Sequence, residues 1–300
     1  MERNVKTAIV ILNWNGRHFL EKFLPSVVSH STGPETDIYV ADNGSSDDSL
    51  SFLKNNFPQI KLVLLDRNYG FAEGYNRALA HIRADYFLLL NSDIEVTPGW
   101  LEPLVGILDS RSEVAAVMPK LLMYDNRNLF EYAGAAGGFL DKYGYPFCRG
   151  RVFQTVESDN GQYDDEKEIF WATGACILVR SNLFNDISGF DGAFFAHMEE
   201  IDLCWRLKNR GYKIMYTSGS KVYHVGGGTL NKENPKKTYL NYRNNLFMLF
   251  KNLPEKRFLA KILFRMVLDG VSAVKHLALL QVSYCFAILH AHLSFYMNFP

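Results

Sequence analysis

The chain has 300 residues, 48% hydrophobic and 21% charged, an ordinary globular composition with enough apolar mass for a substantial core. Its 32 basic and 32 acidic residues cancel, so no global field favours nucleic acid, and recognition must rest on local charge. The four cysteines, Cys148, Cys176, Cys204 and Cys285, are far apart and form no C-x-x-C pair, which argues against a disulfide framework or zinc site and for a reducing compartment.

Thr7–Leu12 reads as a buried first strand, because its apolar run is too short for a signal peptide and polar Asn13-Trp14-Asn15 follows. His18–Val28 places Phe19, Phe23, Leu24 and Val27 at helical spacing, with Pro25 a local objection. Asp37–Val40 predicts a second strand ending at Asp42-Asn43-Gly44, and Asp47–Asn56 a helix capped by Ser46 or Asp47. Ile60–Leu65 is a strand, Phe71–Ile82 a helix, and Tyr86–Leu90 a buried strand ending at Asn91-Ser92-Asp93. This alternation implies β-α-β crossovers and an α/β fold with a mostly parallel sheet flanked by helices. Residues 124–167, rich in Gly, Tyr, Asp and Asn, read as an irregular excursion, a lid or acceptor loop rather than a second domain. Regular pattern resumes at Phe170–Val179, then a helix over Glu199–Lys208 and short strands at Lys213–Thr217 and Val222–His224. Residues 1–250 therefore make one domain and 251–300 a helical segment. That segment has no Asp, Glu, Lys or Arg from Leu277 to Phe299, whereas Lys256, Arg257, Lys261, Arg265 and Lys275 stand among apolar residues upstream. Gln281, His290, His292 and Asn298 interrupt the run, so a helix lying on a membrane surface fits better than a spanning one, the other reading being two helices packed on the domain. The chain stops abruptly after an aromatic-rich stretch, as a truncated one would.

The polar clusters carry the chemistry, because in open α/β sheets ligands bind at the carboxyl ends of strands. Asp93, just past a buried strand, suits a hard cation such as Mg²⁺ or Mn²⁺, which takes one or two carboxylates plus substrate phosphates; a plain turn is the alternative. Asp42 can accept hydrogen bonds from a ribose or a base. In Asn68-Tyr69-Gly70-Phe71-Ala72-Glu73-Gly74-Tyr75-Asn76 the glycines permit close backbone approach, and a helix starting near Phe71 would aim its positive end at an anion. Glu199, Glu200 and Asp202 crowd three carboxylates into four positions next to Phe190, Phe194, Phe195 and Trp205, and an apolar surround can raise a carboxylate toward the range of a general base. His224 ends a short strand and opens Val225-Gly226-Gly227-Gly228-Thr229; it is either a structural imidazole or Asp93's partner in a metal site beside a diphosphate-binding loop.

Taken in order, these pieces resemble the inverting GT-A glycosyltransferases of glycosyltransferase family two, and in particular their rhamnosyltransferase-like branch. The matched segments run from Val10-Ile11-Leu12-Asn13-Trp14-Asn15 through Asp42–Asp47, Asn68–Phe71 with Asn76, Asn91-Ser92-Asp93 and Trp171–Ala175 to Glu199–Arg206 and His224. The resemblance implies a Rossmann-like GT-A sheet with C-terminal helices, a nucleotide-diphosphate-sugar donor, a glycan or lipid-linked acceptor, and a divalent cation, Mg²⁺ or Mn²⁺. It implies donor contacts at Asn13, Asn15, Asp42, Asn43, Asn68, Gly70, Asn76, Asn91, Trp171 and Arg243, and metal ligands at Asp93 and His224. Asn91 stands where the family's D-x-D motif has its first acid, so one carboxylate must anchor the metal. Glu200 is the implied catalytic base, with Glu199 still in play and Asp202 shaping the acceptor site or orienting the base. A cytoplasmic protein touching the inner membrane face, active in bacterial surface polysaccharide synthesis, would fit. Two rivals remain: a non-catalytic nucleotide-sugar-binding protein on the same fold, and a glycoside hydrolase, which would leave Asp42, Asp93 and His224 idle.

Overall fold

A computed structural model describes residues 5–31, 33–153, 155–226 and 234–298. The first part alternates as expected: β1 (Thr7–Asn13), α1 (Arg17–His30), β2 (Thr36–Asn43), α2 (Ser49–Asn56), β3 (Lys61–Leu65), α3 (Gly70–Leu79) and β4 (Tyr86–Asn91). Then come β5 (Ile94–Val96), α4 (Leu101–Ser110), β6 (Val114–Met123), and in the excursion β7 (Gly138–Leu140), β8 (Pro146–Cys148), β9 (Arg151–Val152) and β10 (Thr155–Val156). The chain continues with β11 (Glu166–Ile169), β12 (Cys176–Arg180), α5 (Ser181–Asp186), α6 (Glu199–Asn209), β13 (Lys213–His224), α7 (Pro235–Asn252), α8 (Glu255–Ala278) and α9 (Val282–Met297). Helix α1 runs through Pro25.

Among the described residues nine strands form one sheet, ordered β11-β13-β6-β12-β4-β1-β2-β3, with β5 paired to the end of β13. The β3-β2-β1-β4 half is parallel throughout, β13 pairs parallel with β6, and β12 enters antiparallel between β4 and β6. Strands β1, β4, β6 and β12 bury consecutive residues, and because neighbours in a strand point to opposite faces, both faces of the sheet are covered. The two short strands expected at Lys213–Thr217 and Val222–His224 are one strand, β13, with an irregular register between Thr217 and Lys221.

Strand β6 was not anticipated. Pro119 and Lys120 break its apolar run, yet Lys120 is only 2% exposed, its ammonium held by Asp159 at 2.9 Å and by Asp164. Both acids come from the excursion. Residues 124–167 are thus fastened to the sheet: β7 pairs with β8 and β9 with β10, and β11 joins the edge beside β13. At the other end α7 packs on α6 and α9, and Leu246, Leu249, Ile262 and Phe295 form a second small core.

Candidate active site

Parallel register brings the polar strand ends together. Asn13 stands beside Asp42, and Leu12 beside Asn91. Asn13 Nδ2 donates to Asp42 Oδ1 at 3.1 Å and to Ser45 Oγ at 3.2 Å, and Ser45 N donates to Asp42 Oδ2 at 3.0 Å. Asn15, with φ 51°, accepts the Ser46 amide at 2.7 Å on its Oδ1. Asn43 and Asn68 build the next turn: Asn43 Nδ2 donates to Gly70 O at 2.9 Å, Tyr69 N to Asn43 Oδ1 at 3.0 Å, and Gly70 N to Asn68 Oδ1 at 2.8 Å. Gly70 has φ +78°, and a Cβ there would meet the Phe195 ring at 2.6 Å. Between Asn13 and Asn15 the Trp14 side chain is 47% exposed.

The second group joins β4 to β13. His224 Nε2 lies 3.1 Å from Asp93 Oδ1 and 3.5 Å from Asn91 Nδ2, and both His224 and Asp93 are buried. Burial would strip the charge from each. Their mutual attraction, joined at His224 by a smaller pull from Glu131, outweighs it, raising His224 to about 10 and holding Asp93 below the ordinary carboxylate value. Buried Glu131, which the sequence reading missed, stands 3.4 Å from His224 Nδ1. Its signal was a lone acid in the apolar run Leu129-Phe130-Glu131-Tyr132-Ala133. Asp93 and Glu131 approach opposite ring nitrogens, so one ion cannot touch both acids and the imidazole. Among the described residues no set of three or more His, Cys, Asp or Glu surrounds a common point. The Asp93–His224 pair nonetheless fits a cation. Two neighbouring ligands of an octahedral ion at about 2.1 Å lie about 3 Å apart, close to the observed separation, and Glu131 sits where a metal-binding histidine takes its orienting carboxylate. Such an ion would have to displace the His224 proton. Gly226 is the last described residue of the glycine loop; Gly227, Gly228 and Thr229 lie outside the described residues.

The third group is the start of α6. Phe195, His197 and Met198 all have positive φ, at 63°, 70° and 73°, a concentration of backbone strain directly before Glu199 and Glu200. It is held from two sides. Asn244 Nδ2, fully buried on α7, lies 2.9, 2.9 and 2.7 Å from the carbonyls of Phe194, Ala196 and His197. Phe71 N and Ala72 N both donate to Phe195 O. Those two amides were expected to face an anion; the Phe195 carbonyl takes them instead. Glu199 is buried, Glu200 keeps a partly exposed surface, and one buried oxygen of each has no hydrogen-bond partner. Burial raises Glu199 well above the usual carboxylate value, reinforced by Glu200, and raises Glu200 to about 7 against the pull of the helix-start amides. The Glu200 Cβ lies beside Gly174, and Asn91 N donates to Ala175 O at 2.9 Å, so the 172–175 link joins this group to the Asp93–His224 group.

Four expected site residues are occupied elsewhere. Asn76 spends both amide atoms on Phe190, donating to its O at 2.7 Å and accepting from its N at 2.9 Å. Trp171 is 5% exposed, packs on Gly138 where no Cβ would fit, and donates its indole N–H to Phe139 O at 2.9 Å. Arg243 donates to Ala193 O at 2.8 Å and to Asn244 Oδ1 at 2.9 Å. Asp202 is fully buried and saturated by Arg206 at 2.7 Å, Lys251 at 3.1 Å and Asn252 at 2.8 Å, which ties α6 to α7 rather than freeing a carboxylate for chemistry.

A sheet with these polar strand ends is the GT-A glycosyltransferase fold. The chain superposes on GalNAc-T7 solved with UDP, GalNAc and Mn²⁺ (TM-score 0.62, 14% identity), covering 83% of this chain and 48% of that one. It also superposes on the mannosyltransferase PcManGT from Pyrobaculum calidifontis in complex with GDP-Man and Mn²⁺ (TM-score 0.61, 12% identity), covering 100% and 89%. Residues 8–188 match the model of Glycosyl transferase family 2, and the chain belongs to that family. It is 26% identical over 232 residues to the N-acetylglucosaminyl-diphospho-decaprenol L-rhamnosyltransferase of Mycobacterium tuberculosis, covering 72% of this chain and 75% of that one. It is likewise 26% identical over 215 residues to the rhamnosyltransferase WbbL of Escherichia coli K12, covering 69% and 77%.

Proposed function

We propose that this chain moves a sugar, rhamnose in the first instance, from a nucleotide-diphosphate sugar to a hydroxyl of a glycan or lipid-linked glycan, with inversion, in bacterial surface polysaccharide synthesis. The observation that carries the reading is the Glu199–Glu200 pair at the start of α6, Glu199 buried and Glu200 partly exposed, joined through 172–175 to the Asp93–His224 pair. The rhamnosyl preference rests on the relatives' names alone.

Asp42, Asn13 and Ser45 offer a network of hydrogen-bonding groups to the nucleoside, and the exposed Trp14 ring a surface for its base to stack on. Asp93 and His224 would hold Mg²⁺ or Mn²⁺, with Glu131 behind the imidazole; when bound, the ion supplies Lewis-acid neutralisation of the diphosphate. Glu200 is the base. Its value near 7 leaves a useful ionised fraction at neutral pH, and its partly exposed surface gives an acceptor access. Glu199, buried and likewise raised above the usual carboxylate value, stands beside it. The acceptor hydroxyl loses its proton to Glu200 as its oxygen bonds the anomeric carbon from the face opposite the diphosphate. The carbon–phosphate-oxygen bond breaks, and its electron pair leaves with the nucleoside diphosphate.

The test is a panel of nucleotide-sugars with Mg²⁺, Mn²⁺ or EDTA, for wild type and Asp93→Ala, with the product's anomeric configuration read by NMR. Cation-dependent release of a nucleoside diphosphate, lost in the variant and giving inverted product, is expected. Robust turnover in EDTA that Asp93→Ala leaves intact would overturn the metal assignment. Binding without turnover alongside a competent acceptor would favour the non-catalytic rival, and sugar release without any nucleotide donor the hydrolase.

A further inference from the structure

Helices α8 and α9 leave an apolar face uncovered. On α8, Leu259, Leu263, Val267, Val271 and Val274 recur every three or four residues, each 61–71% exposed. On α9, Val282, Phe286, Leu289, Leu293 and Met297 repeat the spacing at 43–83% exposed. Such spacing gathers side chains on one side of a helix. In each helix this side points away from the residues packed on the domain: Ile262, Arg265 and Ala273 on α8, and Ile288, Ala291 and Phe295 on α9. The turn between the helices adds Leu280, 86% exposed.

The charge pattern says what covers this face. From Lys256 to Met297 the one acid is Asp269, which is buried and held 3.5 Å from Arg265 and 3.1 Å from His292. Among the described side chains of α8 and α9, the solvent-facing Lys and Arg charges are the ammonium groups of Lys256, Lys261 and Lys275. An apolar surface whose described exposed Lys, Arg, Asp and Glu charges are all cationic matches an anionic lipid surface, where apolar side chains enter the acyl boundary and ammonium groups meet phosphate headgroups. A second copy of the same face would set cation against cation. No helix among the described residues is long and apolar enough to cross a membrane.

We propose that the α8–α9 hairpin is a docking surface that lays this protein on an anionic bilayer. The hairpin is fixed to the catalytic part through α7: Tyr242 Oη and Ser272 Oγ are 2.6 Å apart, and Tyr239 Oη donates to Ser294 Oγ at 3.1 Å. The same helix carries Asn244, which pins the segment before Glu200. Docking therefore sets the active site at a fixed height above the lipid surface. The inference is independent of donor and acceptor identity.

The test pellets the full chain, without sugar nucleotide, with vesicles of phosphatidylcholine containing phosphatidylglycerol and with vesicles of phosphatidylcholine alone. Binding to the anionic vesicles is expected, weakened about tenfold or more without phosphatidylglycerol or at high salt. Leu263→Glu/Val267→Glu/Val271→Glu should abolish pelleting with an unchanged melting temperature, because all three side chains face solvent. Lys261→Glu/Lys275→Glu should weaken anionic binding by about fivefold or more per residue. No vesicle binding, or equal binding to both compositions, overturns the proposal. A concentration-dependent dimer in sedimentation that the triple Glu variant dissolves, without vesicle binding, assigns the face to a second copy instead.

Discussion

Replacing Glu200 by Gln should cost activity and add stability, because one cause lies behind both. Burial lifts the Glu200 carboxyl from 4.5 to about 7 and leaves one of its oxygens without a partner. A base with that value supports transfer at neutral pH, and its removal should lower kcat by about 10²–10⁴-fold. Folding feels the same shift. The folded state holds the Glu200 proton more tightly than the unfolded chain does, so its contribution to stability is complete below pH 4.5 and is lost as pH rises through about 7. At about 1.4 kcal/mol per pH unit, the folded protein forgoes about 3 kcal/mol above pH 8. Gln has nearly the same shape and never ionises. Glu200→Gln should therefore melt with wild type near pH 4.5 and clearly above it at pH 8. Calorimetric melts at both pH values and a kcat/KM profile from pH 5 to 9 measure the two effects. Wild-type activity should fall about tenfold per unit below pH 7. Glu199→Gln, which keeps the shape of a residue that is not the base, should keep most of its activity and the same acid limb. An active Glu200→Gln enzyme, or one destabilised equally at both pH values, would refute the reasoning.

Asp93→Asn should lower Mn²⁺ affinity at least about tenfold by calorimetry in the presence of a nucleoside diphosphate, and EDTA should silence the wild type. Without metal the same variant should also lose stability, because His224 keeps its burial and loses its partner's charge. Trp14→Ala should raise the donor KM by about tenfold with little change in kcat, as expected for lost base stacking; an unchanged KM removes Trp14 from the donor site. Asn244→Ala should destabilise the fold by about 1–3 kcal/mol and lower kcat more than donor KM, because the carbonyls before α6 lose their donor. Asn244→Asp cannot donate and should not rescue it.

Local patterning determined much of this protein. Apolar runs of strand length, punctuated by helical spacing, imply a covered sheet, and a parallel sheet must place all its strand ends on one edge, so Asn13, Asp42 and Asn91 converge without further information. Ordered motifs then implied the pairing of Asp93 with His224 across 131 residues. What the tertiary structure alone decided is which side chains are free. Lys120 looks like a strand breaker until Asp159 and Asp164 arrive from the excursion to neutralise it. Trp171, Asn76, Arg243 and Asp202 have the right chemistry for a site, yet each is held by structural partners. Glu131 is marked in the sequence only as a lone acid in an apolar run until folding brings it to the back of His224. The choice between Glu199 and Glu200 depends on burial differing between adjacent residues at the start of one helix. Periodicity reports which face of an element is apolar. Whether a polar group is satisfied depends on partners distant in sequence, and only the packed chain brings them together.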